Sequence, residues 1–261
     1  MKRVLLLALL MLLALPLTVN AQMDMTVYAL TDDGMIITFS SANPGAPINS
    51  AMITGLADGD QLVGIDVRPA TRQLFAVSSG GMMYTLNPQT GGAAPAGSVF
   101  TPTPSGGSFG FDFNPTVDRI RFVSNAAQNL RLNPLNGAVA AVDGGLRYNA
   151  SDVNAGIAPQ IVASAYTNNV SNARNTTLYN IDAGLDVLVR QAPPNDGVLN
   201  TIGELGVDVP ANAGFDIATR DGMGLAGIGN MIYRIDLSSG AASPVGSLPT
   251  DANVVGLAIA L

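Results

Sequence analysis

The 261-residue chain has no cysteine, no histidine and no tryptophan. Without Cys or His it can build neither a Ser-His-Asp nor a Cys-His nucleophile. The same absence excludes zinc, copper and haem centres of the usual His/Cys kind. No disulfide holds the fold, so its stability must come from a hydrophobic core. The only lysine is Lys2, which leaves the rest of the chain without an amine for a Schiff base or a Lys for a phosphate-binding glycine loop. Charged residues make up 12% of the sequence, and Glu and Lys, the residues of solvent-facing helices, are almost missing. No stretch past the N-terminus keeps a 3.6-residue apolar period over ten or more residues, so a parallel α/β fold lacks its helices.

What is present begins with an export signal. Met1-Lys2-Arg3 is a positive n-region, Val4 to Leu17 an apolar run, and Val19-Asn20-Ala21 a cleavage site before Gln22. The run is shorter than the roughly 20 residues a bilayer crossing needs, although an uncleaved anchor is the alternative. The expected organisation is therefore a signal peptide over 1–21 and a single domain over 22–261, exported to the periplasm or beyond the cell. With no Cys at the cleavage site, a lipid anchor there is excluded, and no membrane attachment is expected after cleavage. Residues 22–261 carry 10 Arg against 18 Asp and one Glu, a net charge of −9. So acidic a surface disfavours nucleic acid and anionic membranes as partners.

Internal repetition dominates those 240 residues. Gly64-Ile-Asp66-Val, Gly110-Phe-Asp112-Phe and Gly214-Phe-Asp216-Ile share one pattern, and Ala163-Ser-Ala165-Tyr and Gly256-Leu-Ala258-Ile fill the same slot without the acid. Their starts are 46, 53, 51 and 42 residues apart, near the 40–50 of a four-stranded propeller blade. Each start is followed by a polar turn, a second strand, a third strand ending in an Asx-Pro or Asx-Gly turn, and a fourth strand. Asn and Asp initiate such turns, Pro fixes φ, and Gly takes the positive φ that ends them. The expected fold is all-β: a β-propeller of five four-stranded blades over 254–261 with 26–56, 61–99, 107–143, 159–203 and 212–248. The last segment, Val254 to Leu261, is a first strand without a unit after it, and Thr26 to Ile53 lacks a first strand before it. Joined, they close the ring and remove its open edges. Blade four departs from the pattern, with an insertion at 168–175 and a long turn at 193–197, and such loops are places to look for binding.

The stretch Phe109-Gly-Phe-Asp-Phe-Asn-Pro-Thr-Val-Asp-Arg-Ile-Arg-Phe-Val-Ser124, followed by Gln128-Asn-Leu-Arg-Leu-Asn-Pro134, resembles an exported family known as domain of unknown function 4394. Ala165-Tyr-Thr-Asn-Asn169, Thr176-Thr-Leu-Tyr-Asn-Ile-Asp182 and Gly214-Phe-Asp-Ile217 extend the resemblance over about residues 26–259. It implies a secreted domain of propeller-like repeats and brings no activity and no functional residues.

Three constellations have chemical potential. Asp66, Asp112 and Asp216 hold equivalent places on innermost strands. Turned into the channel, three carboxylates could bind Ca²⁺ through hard oxygen ligands or act as glycosidases do. The plainer and favoured reading is that each bonds its own turn or a neighbouring strand. Against a glycosidase, no Trp can stack on a sugar, and the only Glu of residues 22–261, Glu204, falls in a linker. The second constellation is Arg68, Arg72, Arg119, Arg121 and Arg131, which could grip a carboxylate or sulfate, with pairing to Asp118 or Asp112 as the plainer reading. The third is a set of Asp-Gly dipeptides, which lack EF-hand spacing and read as turns. The candidate ligand-binding residues are thus Asp66, Asp112, Asp216, Arg119 and Arg121. No catalytic residue, metal ligand or cofactor is assigned, calcium apart. The expected function is a non-enzymatic exported propeller that binds a ligand or a cell-surface or matrix component. A Ca²⁺-assisted or carboxylate-based, glycan-active hydrolase or lyase and a purely structural extracellular protein are the alternatives.

Overall fold

The computed structural model describes residues 24–219 and 222–261; the expected signal segment lies outside them. Antiparallel sheets make five blades around a ring. Blade one holds Val254–Ile259, Thr26–Thr31, Met35–Ser40 and Asn49–Met52; blade two holds Leu62–Val67, Leu74–Ser78, Met83–Leu86 and Ala93–Pro95. Blade three holds Phe109–Asn114, Arg119–Ser124, Asn129–Leu132 and Val139–Val142. Blade four holds Ile161–Tyr166, Leu178–Asp182, Val187–Gln191 and Val198–Glu204, and blade five holds Ala213–Ile217, Gly224–Ile228, Met231–Ile235 and Ala242–Ser247. The five-bladed reading agrees with this architecture, and only blade four exceeds its expected bounds of 159–203, its fourth strand running to Glu204 and a further short strand joining it from residues 147–148. Glu204 ends a strand rather than sitting in a linker.

Ring closure follows from register. Val254–Ile259 pairs antiparallel with Thr26–Thr31, Ile259 opposite Val27 and Ala258 opposite Tyr28. The first strand of every blade lies at the centre of the ring and packs on the first strands of both neighbouring blades. Buried on both faces, the inner strands read as near-continuous apolar runs, whereas the outermost strands Asn49–Met52 and Val139–Val142 alternate half-buried and exposed. The described core divides into five apolar clusters, one at each blade interface. Phenylalanines fill the interface of blades two and three, with Phe75 edge-on to Phe113 and Phe109 stacked on Phe122.

Blade four carries two elements with no counterpart in the repeat, a 3₁₀ turn at Pro194–Asp196 and a short extra strand. Arg147–Tyr148 adds a fifth strand, parallel to Val198–Glu204, at the outer edge of blade four. Tyr148 anchors it by donating its hydroxyl to Asp182 at 2.6 Å. Two residues are too few for any periodicity to show in the sequence.

Candidate functional site

The repeated Gly-x-Asp pattern has a geometric cause. Gly and Asp face the next blade, and the residue between them faces the previous one. A Cβ at Gly64 would sit 2.7 Å from the Cβ of Phe111, one at Gly110 2.8 Å from Ser164 N, and one at Gly214 2.7 Å from the Cβ of Leu257. Each glycine therefore leaves the space that the middle residue of the next blade fills. The inner strands close so tightly that the axial void among them is only about 10 Å³. At this level the ring has no open channel.

Two residues further on, the axis is polar. The backbone N–H of the residue after the Asp slot points inward in all five blades, and three carboxylates accept all five. Asp66 accepts from Val67 at 2.6 Å and from Phe113 of blade three at 2.8 Å. Asp112 Oδ1 accepts from Tyr166 of blade four at 3.0 Å. Asp216 accepts from Ile217 at 2.6 Å and from Ile259 of blade one at 2.6 Å. Every Asp thus bonds across to the following blade. The two blades that follow an Ala slot, at Ala258 and Ala165, have their inward N–H covered by their own Asp. The neighbouring-strand reading describes these residues, and the expected convergence of the three carboxylates is also present.

Carboxylate oxygens of Asp66, Asp112 and Asp216 all lie within 4.8 Å of one another, and all three residues are buried. Burial raises the Asp66 carboxyl well above its ordinary range, and the neighbouring charge of Asp216 adds to this. Asp112 is raised in the same way, by burial and then by Asp66 and Asp216. Asp216 is pushed up to about 7 by burial, against the pull of its N–H donors. No arginine reaches the cluster among the described residues. It can hold protons or a cation between its oxygens.

The arginines are occupied elsewhere. Arg68 grips Asp118 of blade three with two bonds of 2.9 and 2.5 Å, as the pairing reading expects of Asp118; among the described residues Asp112 has no Arg partner. Arg121, 2% exposed, donates to Asn129 at 2.6 Å, Asp143 at 2.7 Å and Asn195 of blade four at 2.8 Å. Arg131 closes on both oxygens of Asp143 at 2.8 and 2.9 Å. The network continues inward from Asn129 through Gln191 and Asn180 to Ser164 on an inner strand. It runs through the interface of blades three and four and holds the 193–197 turn against blade three. Arg119 stays half-buried and donates to the Asp118 carbonyl at 2.9 Å.

A cavity of about 720 Å³ opens where the inner strands run out, lined in part by Asn169, Thr219, Arg72 and Ile259. It lies over the carboxylates, because Asn169 and Ile259 both bond Asp216, Asn169 through Nδ2 at 3.3 Å. Asn169 belongs to the blade-four insertion and is only 5% exposed. Its Oδ1 and the buried Oγ1 of Thr219 lack hydrogen-bond partners. Arg72 is exposed in a left-handed conformation, φ 59°, and makes no ion pair among the described residues. Its place in the turn is filled in blade five by Gly222, φ 67°, so a bulky cation stands where glycine would be unstrained. Sequence reasoning placed Arg72 among the arginines. It met Asn169 within the insertion, within the Tyr-Thr-Asn-Asn motif and as the Asn of an Asn-x-Ser sequence, and did not single out Thr219.

The family model for a domain of unknown function (DUF4394) matches residues 35–258. The chain belongs to this family. No curated protein matches the chain. Among solved structures it is similar to dihydro-haem d1 dehydrogenase NirN in complex with DHE, at 12% identity and TM-score 0.40, over 86% of this chain and 44% of that one. It is also similar to a chain of a nidogen/laminin complex, at 14% identity and TM-score 0.47, over 90% of this chain and 85% of that one. The chain thus spans less than half the length of the NirN chain. Likenesses this remote bring no function to the family member described here.

Proposed function

We propose that this DUF4394 propeller is an exported, non-enzymatic binding protein that takes a small hydroxyl-rich anion, of the sugar-acid type, in the cavity over the carboxylates. The observation that carries the reading is the pair of buried, unpartnered polar atoms, Asn169 Oδ1 and Thr219 Oγ1, in a cavity also lined by Arg72, which makes no ion pair among the described residues. Leaving a buried polar atom unpaired costs about 1–3 kcal/mol, and a ligand hydroxyl would recover it. The Arg72 guanidinium is suited to a carboxylate. Export rests on the N-terminal charge, apolar run and cleavage pattern. The hydrolase alternative gains no support from this geometry, since the three carboxylates are buried and engaged with backbone N–H groups.

The test is a thermal-shift screen of the purified protein against neutral sugars, uronic and aldonic acids and acidic oligosaccharides, with product analysis of every hit. Sugar acids are expected to raise the melting temperature in the wild type but not in Arg72→Ala or Asn169→Ala. Hydrolysis of a hit, or no response to any sugar acid at millimolar concentration, would overturn the reading.

A further inference from the structure

Resting on the sugar-acid reading above, we propose that the ligand is an acidic oligosaccharide of at least two units, laid from the cavity over the carboxylates outward along the seam of blades one and two. A second cavity, of about 470 Å³, lies on that seam. The two cavities share a wall, because Arg72, Ala260 and Leu261 line both. The wall is fixed on one side by the Ala260 N–H, which donates to the Thr26 carbonyl at 2.9 Å. Arg72 thus stands at the junction, and its guanidinium makes no hydrogen bond or ion pair among the described residues. From the junction the second cavity runs across blade two, from Val67 on the first strand past Leu74 and Thr85 to Ala94 on the fourth. Three strand spacings of about 4.8 Å make that about 14 Å, longer than one sugar ring. Each cavity alone has the size of a small-ligand pocket, about 300–1,000 Å³, and the pair exceeds it.

The lining suits a sugar chain. Residues 22–261 carry a net charge of −9, yet no acidic side chain lines the second cavity, and Arg72 is its one charged side chain. Tyr28 is half-buried there, and its hydroxyl makes no hydrogen bond among the described residues. Burial raises its phenol above the ordinary value, so the hydroxyl stays a donor. Tyrosine combines an apolar face with a polar tip, which matches the C–H face and the hydroxyls of a pyranose. Asn87 accepts the N–H groups of Gln89 and Thr90 at 2.9 and 3.3 Å through Oδ1, and its amide N–H groups have no partner among the described residues. The Gln73 side chain is exposed and equally free. Arginine offers a carboxylate two parallel N–H donors. Placed between the cavities, it takes the acid of one unit while the next unit lies against Tyr28.

The test is isothermal titration of the full chain with galacturonic and mannuronic acid, with the linear dimer and tetramer of each, and with tetra-aspartate as an acidic chain without sugar. At least one oligomer is expected to bind at least tenfold more tightly than its own monomer, and tetra-aspartate no more tightly than the monomers. Ala94→Glu changes an exposed residue of the outermost strand and puts a carboxylate into the second cavity alone. It should abolish the oligomer's advantage and shift monomer affinity less than twofold. Tyr28→Ala should do the same; if that variant does not fold, Ala94→Glu decides. Monomers that bind as tightly as their oligomers would overturn the chain ligand and leave the sugar-acid reading standing. Binding by none of these sugars would overturn it too. An oligomer advantage that survives Ala94→Glu would refute the seam as its seat, and tighter binding of tetra-aspartate than of every sugar would refute the sugar.

Discussion

Replacing Asp216 with alanine removes the clamp between blade five and the closing strand. Its two oxygens accept the N–H groups of Ile217 and Ile259, each at 2.6 Å. Both donors belong to buried residues, and the truncation takes away the acceptor of each. At about 1–3 kcal/mol for each orphaned donor, the gross cost is about 2–6 kcal/mol. Relief of repulsion from Asp66 and Asp112 offsets part of it, leaving a net loss of about 3 kcal/mol. For a domain of this size each kcal/mol lowers the melting temperature by about 2–4 °C, so the expected drop is about 6–12 °C. Asp216→Asn retains one carbonyl oxygen and should lose less than half as much. Urea titration gives the free energies, and hydrogen exchange should show the Ile259 amide deprotected before the amides of Phe122 and Val123. A loss within about 1 kcal/mol of zero for Asp216→Ala, or equal losses for the two variants, would refute the clamp.

Gly110→Ala should cost about 1–3 kcal/mol by overpacking, because its Cβ would meet Ser164 N at 2.8 Å and Ser164 Oγ at 2.2 Å. Ser164→Gly in the same chain should recover part of that loss in a double-mutant cycle, and purely additive costs would contradict the packing account. Asp143→Ala strands the buried Arg121 guanidinium and should lose about 3–5 kcal/mol in urea; adding Arg121→Met should restore stability, and no restoration would mean that the ion pair is not the cause. In EDTA, stability should fall as pH rises from 4 to 8. The folded pKa of Asp216, about 7, stands above its unfolded value, and those of Asp66 and Asp112 are raised too. Their contribution is therefore full at low pH and lost as pH passes the folded values. Melting curves that are flat over this range would contradict the burial of the three acids.

The blades were legible because each carries its own local chemistry: Asx-Pro and Asx-Gly turns, short apolar strands, and a Gly-x-Asp start set by close strand packing. The direction of the Asp bonds was not legible. Asp66, Asp112 and Asp216 reach donors 47, 54 and 43 residues away, and a repeat pattern looks the same whether its acid serves its own blade or the next. The Arg121 network is hidden for the same reason, since Asn195 stands 74 residues from Arg121 and becomes its partner only when blades three and four meet. That interface has the smallest apolar cluster among the described residues, which leaves room for polar groups. Asn169 and Thr219 are ordinary polar loop residues in the sequence. Only a buried side-chain oxygen without a partner, Oδ1 of Asn169 and Oγ1 of Thr219, distinguishes them.

Five blades and three acids also call for an account, because repetition alone would place five carboxylates on the axis. The inward N–H groups give one. Five donors need five acceptor oxygens; two carboxylates supply four and three supply six. Three is thus the smallest number that gives each donor its own oxygen, and every further acid adds buried charge with no donor left to satisfy. On this argument Ala165→Asp fails by charge and not by shape. Ala165 is fully buried, so Ala165→Asn serves as the control of nearly equal volume. At pH 4 the two variants should be equally stable. As pH rises the added carboxyl stays protonated in the fold and ionises in the unfolded chain, whose ordinary value is about 3.9. The Asp variant should then fall behind by up to about 1.4 kcal/mol per pH unit, or about 4 kcal/mol by pH 7. Equal stability of the two at pH 7 would show that the ring tolerates a fourth charge and that the number of acids is not set by the donors they serve.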